Sequence, residues 1–93
     1  MSVVIIGGHD RMVRQYKDIC KNYKYKAKVF THMCAGLDKQ IGRPDLLIMF
    51  TSTVSHKMIS CVQDAVDERR TDIVHCHTSS STALNEILAK HSA

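Results

Sequence analysis

Six histidines and four cysteines among 93 residues are the side chains best suited to chemistry in this sequence. His9, His32, His56 and His77 each fall at or just past the end of a stretch with strand character, and Cys34 follows two residues after His32. Imidazole suits zinc, iron, copper or haem, and a thiolate adds affinity for soft metals. The intervals match no zinc-finger or metalloprotease spacing, so only a fold that gathers the loops can make one site of them. His75-Cys76-His77 resembles a metal tract, but alternation along a strand turns Cys76 away from both neighbours. Cys76 is therefore expected in the core and His75 at solvent or an interface. Cys20 and Cys61 fall in helical patterns as packing residues, and His91, near the end of the sequence, is expected to be disordered.

Anion chemistry is the second possibility. Gly7-Gly8-His9 follows an apolar run and precedes a helical pattern, but Arg11 and Met12 stand where a dinucleotide fingerprint needs a further glycine. A phosphate-bearing ligand could instead meet backbone N–H groups at helix starts near Gly8, Ser55 and Ser79, with Arg11 and Lys57 adding charge. Gly7, Thr53 and Ser80 complete that set. Ser55 and Ser79–Ser81 equally satisfy a purely structural capping role. Nucleophilic catalysis lacks support. Ser55 and His56 are merely adjacent, no Gly-x-Ser-x-Gly elbow is present, and Asp10 is the one carboxylate in these loops. No complete catalytic constellation is visible.

The elements that must position these groups alternate regularly. Val3–Ile6 is an unbroken β-branched strand. Met12, Val13, Tyr16, Ile19, Cys20 and Tyr23 recur at helical spacing, opposite Arg11, Arg14, Lys17, Lys21 and Lys24. Lys26–His32 alternates as an edge strand, and Met33–Gly42 is a short, weakly helical connection closed by Arg43-Pro44-Asp45. Leu46–Phe50 is a second fully apolar strand. Thr51–Ser55 leads into a helix carrying Met58, Ile59, Val62, Ala65 and Val66, expected to end near Arg69-Arg70. Asp72–His77 is the fourth strand, and Ala83, Leu84, Ile87 and Leu88 mark the last helix.

This β-α-β-α-β-α-β-α order predicts an α/β domain over residues 1–93, a four-stranded parallel sheet with helices on both faces. Placing the two apolar strands centrally gives strand order 2-1-3-4, half of a Rossmann-like or flavodoxin-like fold. The strand order then reverses between strands one and three. Ligands bind at such a switch point, here between the loops Gly7–Arg11 and Thr51–His56.

Composition narrows the classes further. The longest apolar run, Leu46–Phe50, is far too short to span a bilayer, and the opening strand leaves no room for a signal peptide, so a cytoplasmic protein is expected. The dispersed cysteines are expected as free thiols. Seven cations between Arg11 and Lys28 crowd the first third, which reads as a solvated helix face beside a lysine-guarded edge strand; a nucleic-acid partner is not expected.

Together, Val4-Ile5-Ile6-Gly7-Gly8-His9, Tyr16, His32, Pro44-Asp45-Leu46-Leu47-Ile48, Thr53-Val54-Ser55-His56-Lys57 and Ser79-Ser80-Ser81 resemble a bacterial family catalogued as domain of unknown function 2325. The resemblance covers nearly the whole chain. It implies haem-binding, oligomeric members, with His9 and His56 at the ligand. A domain this small cannot enclose a porphyrin while completing its own core, so haem would sit in a cleft closed by a second chain, with propionates near Arg11 or Lys57. The leading expectation is a homo-oligomer binding haem or a transition metal through His9 and His56, supported by His32 or Cys34. The alternative is a regulatory module binding a nucleotide or another phosphate-bearing ligand.

Overall fold

The computed structural model describes residues 2–32, 36–67 and 69–91. The chain forms β1 (Ser2–Ile6), a 3-10 turn (Asp10–Met12) running into α1 (Val13–Asn22), β2 (Lys26–Phe30), α2 (Leu37–Ile41), β3 (Leu46–Phe50), α3 (His56–Ala65), β4 (Asp72–Cys76) and α4 (Ser81–His91). The strands make one sheet of order β2-β1-β3-β4, all neighbours parallel, as the alternation requires. Ile5 lies opposite Val29 on one side and Ile48 on the other.

The two apolar runs are central because they are covered on both faces. Val3 and Ile5 of β1 and Leu46, Ile48 and Phe50 of β3 pack against Tyr16 and Cys20 of α1 and Leu84 and Leu88 of α4. Val4, Ile6, Leu47 and Met49 face the other way, against Leu37 and Ile41 of α2 and Met58 and Val62 of α3. Right-handed crossovers explain the division. The chain moves from β1 outward to β2, then reverses to β3, and the reversal transfers the next two helices to the opposite face. Each such buried side chain contributes about 1.5–3 kcal/mol relative to exposure, so these nine strand residues are the main determinant of the fold.

Several boundaries differ from expectation. β2 stops at Phe30 rather than His32, because Gly7 N–H donates to Phe30 O (2.8 Å) as the last rung before β1 turns away. α3 ends at Ala65, not near Arg69-Arg70. Val66 is extended and buried, and Asp67 then accepts from Arg69 N–H through its side chain and from Arg70 and Thr71 N–H through its carbonyl. β4 ends at Cys76, one residue early, and α4 runs beyond its four marker residues to a half-buried His91, which is therefore ordered within the helix. Cys20, Cys61 and Cys76 are free thiols. Burial pushes the Cys20 thiol up to about 11.

Lys24 closes α1 in the left-handed region (φ 62°). Its N–H reaches Lys21 O (2.8 Å) and Tyr25 N–H reaches Cys20 O (2.9 Å), the paired bonds of a Schellman cap. Glycine is the usual occupant of that position.

Candidate functional site

The four strands deliver the loops after β1, β2, β3 and β4 to one end of the sheet, and the strand order reverses between β1 and β3 as expected. Gly7 (φ 98°) and Gly8 (φ 86°) make the turn after β1. Neither site accepts a side chain. A Cβ on Gly7 would lie 2.6 Å from Val54 Cγ1 and 3.0 Å from Phe50 O; on Gly8 it would lie 2.6 Å from the Tyr16 ring. The turn is thus wedged between the loop after β3 and the start of α1.

Hydrogen bonds then join the loops. Gly8 N–H donates to Thr53 Oγ1 (2.7 Å), and that hydroxyl donates to Phe50 O (3.1 Å). This ties the two switch-point loops together. Tyr16, fully buried and 5.4 Å from the Phe50 ring centre, donates its phenolic hydrogen to Ser79 O, which attaches the loop after β4. Burial holds the Tyr16 phenol above its usual range, against the lowering effect of the Ser79 bond. The loop after β2 is fastened by Asp10, which accepts from the Thr31 hydroxyl and sits 2.8 Å from His32 Nε2. Those bonds, Thr31 first and His32 second, lower the Asp10 carboxyl below its ordinary value.

The candidate ligands fall into two groups. His9 follows Gly8 directly and caps the 3-10 turn, and His56 opens α3 three residues after Thr53, so each loop of the Gly8–Thr53 tie carries one of them. Both are exposed, and among the described residues neither imidazole has a hydrogen bond or ion pair. His32 is instead engaged by Asp10, and Cys34 lies outside the described residues. His77 is exposed beyond β4, while Cys76 Sγ donates to Thr78 O (3.1 Å). Among the described residues no three histidine, cysteine or acidic side chains converge as a metal cage.

The anion-binding set is partly occupied by the fold itself. Ser55 Oγ accepts from Met58 N–H (3.3 Å) and Ser80 Oγ from Ala83 N–H (3.1 Å), so both hydroxyls cap their own helices, and the Ser79 carbonyl serves Tyr16. Thr53 Oγ1 is engaged by Gly8 and Phe50. Arg11 and Lys57 remain exposed at the rim. Concavities of 160 and 230 Å³ open elsewhere, around Gly42 and Arg43 at the N-terminal end of the strands. Those clefts hold none of the candidate ligands.

Two positioning groups escaped the sequence reading. Asp10 appeared there as a lone carboxylate, and its capture of Thr31 and His32 depends on the 3-10 turn that swings it toward β2. Tyr16 appeared as a helix-face residue, and the glycine opposite it was the available sign of close packing.

With this geometry in place, comparison with known proteins adds one match. The family model DUF2325, described as uncharacterized protein conserved in bacteria, matches residues 2–91. No curated protein and no solved structure matches. Among the described residues, no helix is long and apolar enough to cross a membrane.

Proposed function

The chain belongs to the DUF2325 family of uncharacterized bacterial proteins, and from that premise we propose that it is a ligand-binding protein taking haem, or a transition metal, between His9 and His56. One observation carries the reading. The Gly8–Thr53 bond fixes the switch-point loops to each other, and each of those loops leads into an exposed histidine, His9 directly after Gly8 and His56 at the start of α3. Preorganised loops bearing free ligands bind at less entropic cost than mobile ones.

The neighbouring residues suit an apolar, anionic group. Met12, Val54 and Ile59 are half-buried in the same loops and first helical turns, and Arg11 and Lys57 stand ready for propionates. Bound there, haem would supply redox or gas-binding chemistry. The loop residues of one chain leave the imidazoles at the surface, so the cleft requires a second copy, and ligand binding and oligomerisation should be linked. The phosphate-ligand reading draws less support, because Ser55, Ser80 and Thr53 already spend their hydroxyls on the fold.

An absorption spectrum and metal analysis of freshly purified, untagged protein test the proposal. A Soret band or stoichiometric transition metal is expected. If neither appears, and haem added to the protein does not raise its molecular mass in light scattering, the reading fails.

A further inference from the structure

The cations of the first third form a surface the ligand site meets only at Arg11. Residues 11–28 contain seven lysines and arginines against Asp18 alone, a net of +6, while the remaining residues carry six cations and eight acids, a net of −2. Arg14, Lys17 and Lys21 lie on the outer face of α1, Arg11 precedes them in the 3-10 turn and Lys24 follows at the cap. All five are exposed, and none forms an ion pair among the described residues. At 1.5 Å per residue the row extends about 20 Å. Like charges at helical spacing repel one another. Lys24 in addition holds the left-handed cap position that glycine would occupy with less strain.

We propose that this row binds the phosphate backbone of a single-stranded nucleic acid without reading its sequence. The surface itself selects among anionic partners. Protein interfaces deplete lysine and surround an apolar centre, whereas the exposed residues beside these cations on α1 are Gln15, Asp18 and Asn22, all polar. A phosphate chain needs cations in line and little else. At the Lys24 end, Tyr23 and Tyr25 stack at 5.8 Å, half-buried against the core, and their solvent-accessible parts offer bases an aromatic contact. The row meets the proposed haem site at Arg11, so the variant that tests it alters only Arg14, Lys17 and Lys21 of α1.

Fluorescence anisotropy with a labelled 20-nucleotide DNA single strand tests it on the full chain. Four to five phosphate contacts predict that affinity falls about 50- to 130-fold between 50 and 200 mM salt. The triple variant Arg14→Glu, Lys17→Glu, Lys21→Glu should lose binding at least 30-fold, with an unchanged circular dichroism spectrum. The equally charged control Lys39→Glu, Arg69→Glu, Lys90→Glu should keep binding within about threefold. Equal loss in both variants, no binding at 50 mM salt, or equally tight binding of polyglutamate would each overturn the proposal.

Discussion

Replacing Gly8 by alanine tests whether the loop end of the sheet is as tightly fitted as its geometry implies. The new Cβ would stand 2.6 Å from Tyr16 Cε2 and 2.8 Å from its hydroxyl, on a backbone held at φ 86°. Alanine at positive φ costs about 1–2 kcal/mol, and forcing a methyl against a packed ring adds roughly 1–3 kcal/mol. Tyr16 has no slack, because its ring packs on Phe50 while its hydroxyl is held by Ser79 O. Gly36 separates the two contributions. It has φ 74° but open space within 4 Å, so Gly36→Ala carries the backbone cost alone. For a domain of this size, 1 kcal/mol shifts Tm by about 4–8 °C. Gly8→Ala should therefore melt roughly 5–20 °C below Gly36→Ala in thermal circular dichroism. Melting of the two variants within a few degrees of each other would refute the close fit of Gly8 against Tyr16.

Two further outcomes follow from the same loops and core. Asp10 has its carboxyl lowered in the folded state by Thr31 and His32, so its contribution is present above the ordinary value near pH 3.8 and is lost as pH falls through the lower folded value. Urea titrations should show Asp10→Asn less stable than the parent at pH 7 and pH 5, with the gap closing below pH 3.8; a gap that persists unchanged there would contradict the assignment. The buried Cys20 thiol, held up at about 11, should resist a thiol-specific reagent at pH 8 until the protein unfolds, whereas Cys61 and Cys76 are half-buried and should react first. Mass mapping of the labelled sites gives the order, and early modification of Cys20 would show that the α1 face opens in the native state.

Most of the scaffold was legible because its signals are redundant. Val3–Ile6 and Leu46–Phe50 are apolar on consecutive residues, which only a strand covered on both faces sustains, and that alone makes them central. Four strands separated by helical patterns then leave little topological freedom. The end of α3 was illegible for the opposite reason. Val66 continues the helical apolar spacing, but its side chain reaches the α2–α3 core from an extended backbone, a tertiary demand that overrides periodicity. At the site, the switch-point location came from topology, and Ser55 as a cap came from local chemistry. The Asp10–His32 pair could not be read, since it joins residues 22 apart across two loops. That pair also fastens the loop after β2 through the Nε2 of His32 and leaves its Nδ1 without a partner among the described residues.

Haem titration of the parent and of the His9→Ala, His56→Ala double variant tests the central claim most directly. His75→Ala serves as control, since His75 lies exposed within β4 and belongs to neither switch-point loop. The parent and the control should give a saturable Soret change at the same affinity, and the double variant should lose at least tenfold while its far-ultraviolet spectrum stays the same. Equal haem affinity in all three proteins would contradict the account.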